Sequence, residues 1–504
     1  MGGLGSSARR RRWRSRGSPA GWPLRRSRRG AVAAVIGAWL ALGLGAQPGW
    51  AESGSEWTKY LHDLGSSGFT TENLITTANA SALKIAPGWP VQGSGGRLVT
   101  QPVVANGLVY WGSWDGNEHA TALPGSLASG WTTDLGADTS PGCNATNGVA
   151  STGDVASVTL AGQTSPRSVL FVGGGGTDTA GGGSARLYAL DALTGSVLWR
   201  TPLGPSPNNF IWSSPAVYTY TNSSGATVTS VYVGVASFGD CPLVQGKLVQ
   251  LDATSGQIQH VFEVVPSGCT GAGVWGSPTI DQSDGSVYFA TGNPGSCSSA
   301  EPYGEALVKL RASDLSVLGS WQIPPAERTS DGDFGAAPTL FSGTVSSGGA
   351  LRSLVGVPNK NGVYYVFDRS QVSAGPVAKP HVAVAGDCPQ CGKGSISPSA
   401  WDGTTLYVPN FIGNTLAVIS TATDTVTATI SGFSRPARRS RRMAAPSTSR
   451  TPPRAPSRCL APPPTRLSPR SPSAACRTSS RSPPTAPPPG SFSCRRQRLW
   501  PELA

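Results

Sequence analysis

The stretch VWGSPTIDQSDGSVYFATGNPGSC, residues 274–297, sets a Trp just before one strand-like run and an Asn directly after a Thr-Gly at the end of the next. Asn293 either does chemistry there or only turns a corner, since Thr-Gly-Asn-Pro is also the composition of a plain turn. Other chemistries find no support in the spacing. No Gly-x-Ser-x-Gly stands with a plausible triad. His62, His119, His260 and His381 show no HExxH or paired metal spacing. FVGGGGTDTAGGGS, residues 171–184, has no Lys-Ser/Thr after it, so it reads as a loop and not a phosphate cradle. Cys388-Pro-Gln-Cys391 is followed by Gly392, which argues against covalent haem, and no second CxxC exists for zinc.

The elements that must position any such residues follow from composition. The chain has 504 residues, 38% hydrophobic, with 65 Gly, 43 Pro and 13% charged residues. This suits many short strands joined by turns, with ample apolar content for a large core. The formal charge of +13 comes from the ends. Residues 1–51 hold 10 Arg and no acid, and residues 434–504 hold 15 Arg and one acid, Glu502. The body between them carries a net charge of −11, which excludes a nucleic-acid-binding body.

The N-terminal segment 1–51 reads as a secretory signal. It has a basic start, an apolar run over residues 31–46 and small residues up to Ala51. The run falls short of the ~20 residues a spanning helix needs, so an export signal is favoured over a retained anchor. The protein is therefore expected to be exported, to an extracellular, periplasmic or cell-envelope location. Six Cys in the body, Cys143, Cys241, Cys269, Cys297, Cys388 and Cys391, suit disulfides in that setting without specifying their pairing. Residues 434–504 are rich in Arg, Pro and Ser, with no Lys, Asp or strand-like run. They read as a disordered tail or as an out-of-frame translation.

The body, residues 52–433, is periodic. Six units share one grammar: a Ser/Ala-Pro opening, a short apolar strand, an alternating strand such as VYVGVA or VYFATG, a loop, a segment of the form xLxALDAxTG, and a last strand that often ends in Trp. Alternation marks strands, and Asp-x-x-Thr-Gly turns join them as hairpins. Four antiparallel strands in a repeat of ~40–50 residues make a propeller blade. The fold class is therefore all-β, a β-propeller. Residues 56–95 are expected to supply a strand that closes the ring with the last blade.

RLYALDALTGSVLW, residues 186–199, with SSPAV after it, resembles the tryptophan-docking repeat of the pyrroloquinoline quinone (PQQ) propellers. The likeness runs through nearly all of residues 56–432. That family includes quinoprotein alcohol and aldose dehydrogenases, polyvinyl alcohol dehydrogenase and non-catalytic envelope scaffolds. The resemblance implies about seven or eight blades, of which about six are present here. It also implies a site on the propeller axis. Trp275 would stack below PQQ, and Asn293 would bind a metal through its amide oxygen, a sensible donor for a hard cation. Asp333, followed by Phe334, would be the catalytic base that takes the hydroxyl proton. Lys360, in VPNKNGVYYVFDR, would meet the quinone oxygens. Gly335, where lanthanide-type members carry an Asp, points to calcium.

Other positions depart from the family pattern. Cys241 occupies the slot of a ligand Glu, with Asp240 adjacent as a substitute ligand. The adjacent Cys pair that caps the cofactor is missing, with Cys143 alone, and Asn147 stands in place of an expected Arg. Two functions follow. One is a quinoprotein-like oxidoreductase that oxidises an alcohol or sugar hydroxyl with PQQ and calcium, passing electrons to an acceptor the sequence does not name. The other is a non-catalytic extracytoplasmic propeller that binds protein or polysaccharide. No nucleic acid is expected as a partner.

Overall fold

The structure is a computed structural model that describes residues 56–89, 96–174, 184–205, 208–295, 297, 301–383, 397–410 and 413–432. The expected signal segment 1–51, the Cys388–Cys391 pair and the tail 434–504 lie outside the described residues. Nearly all regular structure is strand. The helical pieces among the described residues are three short 3-10 turns, and none is long and apolar enough to cross a membrane.

Six antiparallel sheets follow one another along the chain, each a meander. The first runs Val103–Ala105, Leu108–Gly112, Asn117–Ala122, Trp131–Asp134. The second runs Asp154–Val158, Arg167–Gly174, Ser184–Asp191, Val197–Pro205. The third runs Ala216–Thr221, Thr227–Ser237, Lys247–Asp252, Ile258–Glu263. The fourth runs Thr279–Asp281, Ser286–Ala290, Ala306–Arg311, Val317–Gln322. The sixth runs Ala400–Trp401, Thr405–Asn410, Thr415–Ser420, Thr425–Ser431. The fifth departs from the four-strand pattern. It has Thr339–Gly343, Arg352–Pro358 and Tyr364–Asp368, and residues 377–381 meet its outer side only through isolated bridges.

Five apolar clusters lie between successive sheets, one at each junction from first–second to fifth–sixth. A central strand is therefore covered on both faces. Ser286–Ala290 is buried at every residue, where the alternation in the sequence had implied only one buried face. Each fully buried large side chain contributes about 1.5–3 kcal/mol, so most of the stability resides in these junctions.

The repeat grammar has a physical cause at each point. Asp191 Oδ1 accepts from the backbone N–H groups of Leu193 and Thr194, which closes the turn, and Gly195 takes φ +72. Trp131 of the first sheet donates its indole N–H to Ala192 O at 2.9 Å and lies on Gly195. A Cβ there would come within 2.5 Å of the ring, so only Gly satisfies both the turn and the ring. Trp199 repeats the arrangement on Ala253 and Gly256. The polar residues around the Ser/Ala-Pro openings bridge neighbouring sheets. Thr152 N donates to Ser214 Oγ, and Ser214 N donates to Ser277 Oγ.

The N-terminal segment corrects one expectation. Among the described residues of 56–95 there is no strand in the last sheet. Residues 57–67 instead run across the innermost strands. Trp57 pairs with Val104 of the first sheet. Val155 N donates to Thr58 O, Ile280 N to Leu64 O, Leu340 N to Gly65 O and Trp401 N to Ser67 O. A buried ion pair, Lys59 Nζ to Asp154 Oδ2 at 2.7 Å, fastens the segment to the second sheet. With Val104 N donating to Trp57 O, this one looped segment satisfies edge donors from five sheets, which a strand confined to one sheet could not do.

Candidate functional site

Trp275 and Asp333 each precede the innermost strand of a sheet, the fourth and fifth respectively. Asn293 and Lys360 each follow the second strand of the same two sheets. In an antiparallel pair, the start of one strand and the end of the next lie at the same end of the sheet. The four side chains, 85 positions apart at the extremes, therefore gather.

Lys360 is the centre. Its Nζ lies 2.6 Å from Asp333 Oδ2 and 2.9 Å from Asp331 Oδ1. The same ammonium stands 5.5 Å above the centroid of the Trp275 ring, a cation–π distance. Asp333 Oδ1 accepts from the backbone N–H of Asn293, and Asp333 O accepts from Lys360 N at 3.1 Å. Asn359 fixes the loop by donating from its side chain to Gly332 O at 2.7 Å. The Trp275 indole rests on Gly335, where a Cβ would come within 2.1 Å of Trp275 Cη2. Gly335 thus has a packing reason to lack a side chain.

The electrostatics are lopsided. Burial pulls the Lys360 ammonium down, but Asp333 and Asp331 outweigh it and raise its pKa. Burial, then the Asp333 charge, push Asp331 up to about 7 against the pull of Lys360. The lysine serves Asp333 first, at the shorter distance, and Asp331 bears the like-charge repulsion. Asp240 also rises, through desolvation and then Asp333, with Lys360 opposing. Its side chain still reaches solvent, which screens that coupling. Behind the site, Glu305 is raised by burial and further by Asp333, while its partner Arg328, 2.9 Å away, pulls it down.

The structure therefore joins Trp275, Asn293, Asp333 and Lys360 by direct contact, and reaches Asp240 through electrostatic coupling. The Asn147 side of the pattern is different. Asn147 is buried in a short strand pair with Asp138. Cys143 is bonded to Cys241, beside Asp240, and a second disulfide joins Cys269 to Cys297. Cys269, Cys297 and Glu301 converge within 4.8 Å, but both sulfurs are spent in the disulfide. Sequence reasoning missed Asp331 and Glu305. It also missed Trp212, which in IWSSPAV holds the repeat position of Trp275 in VWGSPTI.

The donor set fits a divalent cation. Three carboxylates, Asp240, Asp331 and Asp333, face one ammonium. The Asn293 side-chain amide and the Asp240 carboxylate have no hydrogen-bond partner among the described residues, which leaves hard oxygen donors free.

Six successive antiparallel meanders, the fifth of three strands, with indoles docked between them and an acid–lysine cluster over a Trp at one end, define a β-propeller of PQQ-type blades. Residues 57–374 match the family described as the glucose/ethanol/alcohol dehydrogenase β-propeller domain, and the chain belongs to that family. It is 31% identical over 125 residues to a polyvinylalcohol dehydrogenase from Pseudomonas sp., a match covering 21% of this chain and 19% of that protein. The match thus spans about a fifth of the length of this relative. The quinohemoprotein alcohol dehydrogenase of Comamonas testosteroni shares the fold, with TM-score 0.52, 17% identity, and coverage of 74% of this chain and 67% of that one. A europium-containing methanol dehydrogenase does so with TM-score 0.53, 17% identity, and coverage of 76% and 79%.

Proposed function

We propose that the protein is a quinoprotein-like oxidoreductase that oxidises an alcohol or sugar hydroxyl, using PQQ and calcium. The observation that carries this reading is the buried Lys360 ammonium, held between Asp331 and Asp333 and poised over the Trp275 ring. Bound PQQ would supply the acceptor for the hydride of the substrate C–H bond. Trp275 offers a half-buried aromatic face on which a flat ring system can stack. Lys360 offers a cation that no change of pH near neutrality removes. Asn293 and Asp240 offer oxygen donors for calcium. Acid–base work falls to the Asp331–Asp333–Lys360 group, with Asp333 at the position the family resemblance marks for the base.

The match to a polyvinylalcohol dehydrogenase supports a hydroxylated polymer as one candidate substrate class. Two disulfides support an exported location. The test is titration of PQQ into the full chain with and without calcium, followed by tryptophan fluorescence. Saturable quenching that requires calcium supports the reading. A folded sample that is not quenched overturns it and leaves the non-catalytic scaffold, which would bind protein or polysaccharide at its rim.

A further inference from the structure

The sixth sheet is buried differently from the sheets before it. In the fourth sheet Ser286–Ala290 is buried at every residue, and in the fifth the same holds for residues 354–358. In the sixth, Leu406, Val408 and Asn410 are buried, but Thr405, Tyr407 and Pro409 between them are only half-buried. Thr415–Ser420 alternates too, with Ala417 and Ile419 buried. Period-two burial marks a sheet covered on one face. The covered face packs on the fifth sheet through Leu406, Val408, Ala417 and Ile419. On the opposite face no apolar cluster forms among the described residues.

That open face is itself apolar. Cross-strand register sets Tyr407, Val418 and Ala428 in one row and Pro409, Leu416 and Ile430 in the next. None of the six is charged, and the Tyr407 hydroxyl is already satisfied by donating to Asp402 Oδ2 at 3.0 Å. Ile430, on the outermost strand, is 49% exposed. At the inner edge, Tyr407, Pro409 and Leu416 border an open cleft of about 260 Å³ with Trp57 and Leu61. The first sheet also alternates, in Leu108–Gly112, but its open face is closed at the centre. There Trp111 stacks on His119 at 3.9 Å and donates its indole N–H to Thr121 Oγ1.

Residues 434–504 are a poor cover for the sixth sheet, because their 15 Arg and lack of any alternating run suit neither an apolar face nor a strand. What covers a sheet elsewhere in this protein is another sheet of the same kind, and every other sheet of the chain is engaged with its neighbours. We propose that the open face of the sixth sheet is a self-association surface, on which a second copy of the chain packs its own sixth sheet about a two-fold axis. An axis along the strands lays the outer edge of each face over the inner edge of its partner. Ile430 of each copy then meets the cleft beside Pro409 and Leu416 of the other, a reciprocal knob in a hole. Strand spacing and rise give the face about 400 Å² per copy. A standard interface buries about 800 Å² per partner, so the dimer is weak, with a dissociation constant in the micromolar range. The proposal does not depend on the oxidoreductase reading, whose residues lie on the third, fourth and fifth sheets.

The test is sedimentation of the full chain from about 1 to 200 µM, a range that brackets a weak dimer. The parent should pass from monomer to dimer within it. Ile430→Lys and Leu416→Lys should each raise the dissociation constant at least about tenfold, because each buries an unpaired charge in the contact. Ile430 is half-exposed, so Ile430→Lys stays decisive even if Leu416→Lys unfolds. An equimolar mixture of Ile430→Lys and Leu416→Glu should associate more tightly than either variant alone, since the axis brings the two new charges together across one half of the contact. A mixture with no such gain overturns the two-fold arrangement. A monomer throughout the range overturns the proposal, whether the face is bare or covered by residues 434–504 of the same chain. A dimer that both lysine variants leave unchanged also overturns it, and assigns the contact to another surface such as the open edge of Thr425–Ser431.

Discussion

The ammonium of Lys360 sits 2.6 Å from Asp333 Oδ2, with both side chains over nine-tenths buried. One cation pairs with Asp333 and, at 2.9 Å, with Asp331. Replacing it with an uncharged chain of similar length should be costly, because two carboxylates then lack a counter-charge. Lys360→Met is expected to lose about 3 kcal/mol or more at pH 8. The buried negative charge left without its counter-ion is relieved as protons are taken up at lower pH, so the deficit should shrink at pH 5. Urea unfolding at both pH values checks this, and equal stability of variant and parent at pH 8 would contradict it.

Gly335 is predicted to be intolerant of any side chain. Its Cβ would lie 2.1 Å from Trp275 Cη2, so the indole must move. Gly335→Ala should cost about 1–3 kcal/mol and shift the tryptophan emission. An unshifted spectrum with unchanged stability would show that the ring does not rest there.

Asp424 offers a pH prediction away from the site. Both of its oxygens are buried without a partner among the described residues, the residue is 2% exposed, and burial pushes its pKa up to about 7. The unfolded value is about 3.9. The folded state therefore holds the proton more tightly, and this group's contribution to stability falls as pH rises from about 4 through about 7. Asn tolerates the local φ of +48. Asp424→Asn should thus match the parent near pH 4 and exceed it by about 1–3 kcal/mol at pH 8. Melting temperatures at pH 4.5, 6 and 8 test this, and a constant difference across the three would refute the cause.

The Cys143–Cys241 bridge closes a sequence separation of 98 residues and tethers the loop that carries Asp240. Cross-links over long loops stabilise mainly by restricting the unfolded chain. The Cys143→Ser/Cys241→Ser double variant should lose about 2–4 kcal/mol. Unreduced peptide mapping should recover Cys143 with Cys241 and Cys269 with Cys297. Any other pairing of these four refutes the assignment.

Much of the fold is legible in the sequence because its signals are local. Asp191, Thr194 and Gly195 interact within one turn, and Ser286–Ala290 carries its own strand preference. The candidate site is legible in part. Trp275, Asn293, Asp333 and Lys360 stand beside recognisable turns and strand ends. Asp331 stood two residues from Asp333 and went unremarked, because nothing within its own loop reveals that Lys360, 29 residues on, bridges the two acids.

The sequence by itself determined the repeat, the strand and turn chemistry within it, and the residue types available at one end of the sheets, since each depends on neighbours a few positions apart. Only the tertiary structure decided the path of residues 57–67 across five sheets, the three-stranded fifth sheet, the pairing of Cys143 with Cys241, and the meeting of Asp331 and Asp333 on Lys360. Those depend on which distant groups meet and which lone pairs and buried charges are already satisfied when they do.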